Sequence, residues 1–233
     1  GPDEWFMGNG YNNARFDGYP TRQQLDDAAG GRPVILFRMD GHVAVVNSRA
    51  FEIAGVPEDV ENPEHGQFDR DPETGRLTGV VREGAYFVFR AMFRGSATVE
   101  DYEQGLPRVF ENYLTHGVTS VHNSVVRPKV FKAYQNLHSR GELNMRVGII
   151  GNGDVDGMVQ AMIASGLQSG MGDGWLRIVG VEWIADASVG GRTAAFYNPY
   201  QGEPDVGEPV PNTGMQLFSR EWLEPRVLAA HEA

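Results

Sequence analysis

The chain has 233 residues, 41% of them hydrophobic, no cysteine, and a net charge of −11 from 31 acidic and 20 basic side chains. That composition supports a packed core and rules out disulfides and thiolate metal sites; with no Lys/Arg cluster to meet phosphates, nucleic acid is not an expected partner. No apolar run approaches the roughly 18–20 residues of a membrane span and no signal-peptide pattern opens the chain, so no membrane partner is expected and the expected location is the cytoplasm.

Thirty glycines and thirteen prolines imply many turns between short elements. Residues 1–95 read as a small inserted or appended α+β segment. Thr21 is placed to cap a short helix through Leu25 and Ala29, stopped by Gly30-Gly31. Val34–Met39 is an apolar run after Pro33 and reads as a buried strand. Asp40-Gly41 signals a turn, and His42–Val46 a second strand. Ser48 reads as the cap of a helix that Gly55 and Pro57 end. Asp69–Arg76 looks like a hairpin tip between strands at Gly66–Phe68 and Leu77–Val81, and a helix is expected over residues 83–93.

From residue 96 to 233 the rhythm changes to helix and strand in alternation. Thr98 opens a helix whose first turn is acidic, running to His116 with Pro107 as a kink or break. Strands are expected at Val118–His122, Met145–Ile150 and Leu176–Ile184, with helices from Pro128 to Arg140 and after Asp154. A Gly/Pro-rich loop precedes a last helix at residues 220–233. Three alternations with short connectors imply parallel βαβ units. A complete (β/α)8 barrel needs roughly 250 residues, and a unit ending on a helix would next need a strand. The expected fold is therefore α/β, a partial barrel whose natural chain continues.

Barrel enzymes carry their chemistry at the C-terminal ends of strands. That rule selects His122 and Asn123, then Asn152 and Asp154, then Glu182, Asp186 and Ser188. Glu182 stands out, because a carboxylate inside the run Ile178–Ile184 is costly unless it is paired or metal-bound. A nearby arginine such as Arg192 is the alternative partner. His122 reads either as a core histidine satisfied by backbone or as a metal ligand. Asp186 reads as a loop cap or as a group that orients Glu182. His42 sits in a turn, where loops often meet ligands. There is no His-x-His pair, no His-Glu-x-x-His helix, no phosphate loop and no Gly-x-Ser-x-Gly elbow.

Four stretches together resemble amidohydrolase family 3, the YtcJ-like branch that includes the N-substituted formamide deformylases. They are Phe37–His42 with Val46–Phe51, Gly66–Asp71 with Thr78–Glu83, Gly117–His122, and Gly180–Ser188 with Gly191–Ala195. The resemblance implies a metal-bearing barrel and hydrolysis of an amide, formamide or cyclic amide. It implies a divalent metal, zinc by expectation, which lowers the pKa of its bound water and polarises the carbonyl. Glu182 stands where the family has a lysine that many relatives carboxylate, so the resemblance implies Glu182 as a metal ligand. Asp40 and His42 would approach a small-molecule substrate, with His122, Asp186 and Arg192 shaping the pocket. The family's His-x-His pair and its later metal ligands have no counterpart here, so these 233 residues by themselves are expected to be inactive. A homodimer is one expectation for assembly. Two other readings remain: a barrel-derived domain without catalysis, and a self-contained enzyme using Glu182 and Asp186 as an acid–base pair.

Overall fold

Val43–Val46 is buried at every position, which an alternating strand reaches only when both faces of its sheet are covered. In the computed structural model, which describes residues 4–15, 18–92, 97–125, 127–153, 157–205 and 207–233, that is what surrounds it. Strands β1 (Phe6–Tyr11), β2 (Val34–Arg38), β3 (Val43–Val46), β4 (Gly66–Arg70) and β5 (Leu77–Glu83) form one sheet in the order β1-β2-β3-β5-β4. β1 runs parallel to β2 and the other pairs are antiparallel. On one face Val43, Val45 and Val80 pack with Leu25 and Ala29 of helix α1 (Arg22–Ala29). On the other, Ala44, Val46 and Val81 pack with Phe51 of α2 (Ser48–Ala54) and Phe89 of α3 (Gly84–Met92).

The caps explain where these helices start. Thr21 and Gln24 close a capping box on α1, and Gly30 ends it in the left-handed conformation at φ 59°. For α2 the cap is Asn47, one residue before the Ser48 expected from sequence. Its buried side chain accepts from Ala50 N and Val34 N and donates to Arg32 O, satisfying the amide and tying helix to strand. Ser48 instead donates to Asp26 of α1, through both its amide and its hydroxyl.

The second sheet is β6 (Ser120–Val125), β7 (Arg146–Asn152) and β8 (Leu176–Glu182), all parallel and in chain order. Helices α4 (Val99–Thr115), α5 (Pro128–Ser139) and α6 (Met158–Ala164) alternate with them, and α7 (Arg220–Glu232) follows. Helix α4 begins in a Thr98–Asp101 capping box and continues through Pro107 without a break. Its Phe110 joins Tyr134 and Leu137 of α5 over Val125, Val147 and Ile149, the apolar face of the sheet. Helix α6 starts after Gly157; Asp154, the residue expected to cap it, lies outside the described residues. Among the described residues the parallel part is a three-stranded sheet, not a closed barrel.

The chain divides into two units, residues 1–93 with 185–218, and residues 94–184 with 219–233. Residues 185–218 thus group with the five-stranded sheet, whereas the rhythm of the sequence set everything after residue 95 apart. Side chains of the sheet bond to this segment, Arg38 to Gly190 O, Arg82 to Gly191 O and Glu83 to Thr193.

Candidate functional site

Two places collect the polar residues singled out above, one in each unit. The first lies at the ends of β2 and β5. The Asp40-Gly41 turn between β2 and β3 brings Arg38, Asp40 and His42 together: Arg38 Nη1 donates to Asp40 Oδ2 at 2.7 Å, and His42 N donates to Asp40 Oδ1 at 3.2 Å. Arg38 also reaches Gly190 O at 2.6 Å. On β5, Arg82 donates to the Asp69 carboxylate of β4 from Nε, at 2.9 and 3.0 Å to its two oxygens, and from Nη2 at 2.8 Å, and once to Gly191 O at 2.7 Å. Asp69 has no exposed surface and Arg82 has 2%. Burial opposes the Arg82 charge, but the adjoining carboxylate more than offsets it and raises its pKa. Beside them burial pushes the Tyr19 phenol up to about 12.

Glu83, the last residue of β5, is completely buried and is used at both oxygens. Oε2 lies 2.9 Å from His42 Nδ1, and Thr193 Oγ1 donates to Oε1 at 2.7 Å. The Glu83 backbone is left-handed at φ 47°, a conformation a non-glycine residue keeps only when its surroundings over-determine it. The hydrogen bond that His42 donates to Glu83 raises the His42 pKa against the opposing effect of burial, with Asp40 adding to the rise. Ser188 completes the turn, accepting from Gly191 N through its hydroxyl. Gly191 is required there, because a Cβ would come 2.7 Å from Asp40 Oδ2.

Asp40 and His42 therefore share one network. The other expected residues of this unit sit at its margin. Arg192 pairs with Glu208 at 2.7 Å, so the arginine offered as a partner for Glu182 is engaged elsewhere. Asp186 accepts from Ala195 N, the loop-cap alternative. Arg38, Asp69, Arg82, Glu83 and Thr193 were missed as members of one site. A signal existed for three of them: Asp69, Arg82 and Glu83 are charges adjoining apolar strand residues, the same anomaly that singled out Glu182. Asp69 reads as part of an exposed hairpin tip, but it belongs to β4 and is sealed.

The second place is the face of the parallel sheet that α4 and α5 do not cover. Side chains in register share a face, so Asn152 and Glu182, paired between β7 and β8, stand together at the C-terminal ends of those strands. Asn152 Nδ2 donates to Ser124 Oγ of β6 at 3.1 Å. Glu182 is partly exposed and lines a pocket of about 430 Å3 with Trp183, Leu223 and His231. His122 does not join it. It pairs with Gly148, four residues before Asn152, so it lies about 13 Å back along the strands and about 10 Å across from Glu182. Its side chain is exposed, not the backbone-satisfied core histidine of the simpler reading.

Among the described residues no three His, Asp or Glu side chains lie close enough to hold a metal ion. Glu182 offers one carboxylate and not a metal site, and no reaction step through a metal follows from these residues. No helix among the described residues is long and apolar enough to cross a membrane.

The chain is 27% identical over 248 residues to Protein LONG AFTER FAR-RED 3 of Arabidopsis thaliana, covering 98% of this chain and 40% of that protein. It is 27% identical over 239 residues to putative amidohydrolase YtcJ of Bacillus subtilis (strain 168), covering 99% of this chain and 42% of that protein. Among solved structures it is similar to an uncharacterized metal-dependent hydrolase from Pyrococcus horikoshii OT3, with TM-score 0.61 and 28% identity over 97% of this chain and 42% of that one. The chain thus spans about four-tenths of the length of the relatives it matches. A profile of the Amidohydrolase family matches residues 1–233, and the chain belongs to that family.

Proposed function

We propose that the protein containing these residues is a metal-dependent hydrolase of non-peptide carbon–nitrogen bonds in a small amide, formamide or cyclic amide. The observation that carries the reading is the family match over the whole chain, together with a carboxylate at the end of a parallel strand, where barrel enzymes place reactive groups. In this reading Glu182 supplies one ligand to a divalent metal, and Asn152 and Ser124 hold its surroundings in place. The remaining ligands are residues other than those described, which do not close a site among themselves. The same lack of a three-ligand group favours a second reading, a barrel-derived domain without catalysis.

The test is hydrolysis of a panel of N-substituted formamides, linear amides and cyclic amides by the longest polypeptide that contains these residues. Metal is removed with a chelator and restored as zinc, manganese or cobalt. The proposal expects turnover that chelation abolishes and one metal restores, and that Glu182→Gln lowers by at least about 100-fold. Absence of turnover on every amide with every metal supports the second reading instead.

A further inference from the structure

Among the described residues, His42 is held by one ring nitrogen only. Nδ1 faces Glu83, while among the described residues Nε2 has no hydrogen-bond partner, and the side chain keeps 20% of its surface exposed. Glu83 itself cannot meet a ligand. It is sealed, both of its oxygens are in use, and its amide donates to His42 O at 3.0 Å. Backbone strain at such a residue marks a place where the fold holds a group against its own preference.

We propose that Glu83 is a positioning residue, fixing the His42 ring through Nδ1 so that Nε2 is the atom offered to substrate. The proposal rests on the hydrolase reading above for its substrate and on geometry for its dyad. A carboxylate at Nδ1 selects the tautomer. A neutral ring then carries its proton on Nδ1 and presents Nε2 as an acceptor; a charged ring donates from Nε2. The charged groups facing the imidazole are Glu83 from β5, Asp40 from the β2–β3 turn and Arg90 from α3. The two carboxylates favour the charged ring and the guanidinium opposes it. Thr193 fixes the far oxygen of Glu83, so the carboxylate cannot turn away from the ring.

Nitrogen-15 NMR of histidine-labelled protein, again on the longest polypeptide, reads the tautomer without requiring activity. Above its titration midpoint wild-type His42 is expected to be protonated at Nδ1 and bare at Nε2. A ring protonated at Nε2 overturns the positioning role. Glu83→Gln is expected to lower the midpoint, and Thr193→Val, which leaves the carboxylate in place, to lower it less. Thr193→Val serves as the folded probe if Glu83→Gln does not fold. In the hydrolysis assay Glu83→Gln is expected to lower kcat/KM by about 10-fold or more and to move one limb of its pH profile to lower pH, with metal content unchanged. An unmoved profile overturns the substrate-facing role. If no amide is hydrolysed at all, the hydrolase reading fails and takes that role with it, while the tautomer still decides the function of Glu83.

Discussion

The two units differ in how they hold their charged side chains. Around the five-stranded sheet, charged groups are matched, with Asp69, Arg82 and Glu83 fully buried: Arg82 with Asp69, Arg38 with Asp40, Glu83 with His42 and Thr193. On the parallel sheet, Ser124, Asn152 and Glu182 stand on the face that α4 and α5 leave uncovered, and Glu182 remains partly exposed. The difference teaches that a charge within an apolar run is an anomaly with two solutions. One is a pair that holds distant chain segments together; the other, on the proposal made above for Glu182, is a group left available to a ligand. Burial of the partner separates them.

Substitutions can break that contrast. Arg82→Ala leaves Asp69 as an uncompensated buried charge and releases Gly191 O, and should cost about 3–5 kcal/mol in urea unfolding. A loss below about 1 kcal/mol removes the sealed-network account. Gly191→Ala drives a Cβ within 2.7 Å of Asp40 Oδ2 and 3.0 Å of Val43, and should cost about 1–3 kcal/mol by forced repacking. Equal unfolding midpoints for this variant and wild type would place the 188–193 turn away from Asp40.

The His42 pair sharpens the comparison through pH. The folded pKa of His42 lies above its unfolded value of 6.5, so its stabilising contribution is complete below about pH 6.5 and is lost as pH rises through the folded value. Unfolding followed from pH 6 to 9 should show that decline, and Glu83→Gln should flatten it. The smallest effect belongs to the other sheet. Glu182→Gln, at a partly exposed position, should change stability by less than about 0.5 kcal/mol. A larger loss in thermal unfolding would make Glu182 a packing residue.

Local elements were legible from sequence where local physics decides them. The Thr21 and Thr98 capping residues, the apolar runs of β2 and β3, and the alternation from residue 98 onward each carry their cause within a few positions. Strand β1, Phe-Met-Gly-Asn-Gly-Tyr, has neither alternation nor an apolar run and exists through pairing with β2. The network was legible only as separate motif blocks. Its decisive bonds join residues 152 positions apart, Arg38 to Gly190, and 110 apart, Thr193 to Glu83, so no window of sequence contains them. His122 illustrates the converse: a rule about strand ends selected it, but the register sets it four residues short of the Asn152–Glu182 level.

The central claim is that the buried pairs around the five-stranded sheet hold the fold and position His42, while Glu182 is the proposed metal ligand. Its most direct test is metal content by elemental analysis, with urea unfolding of the same samples, for wild type, Glu182→Gln and Thr193→Val. The account predicts that Glu182→Gln loses bound metal and keeps its unfolding midpoint, while Thr193→Val keeps its metal and unfolds at lower urea. Full metal occupancy in Glu182→Gln, or loss of both properties together, would contradict it.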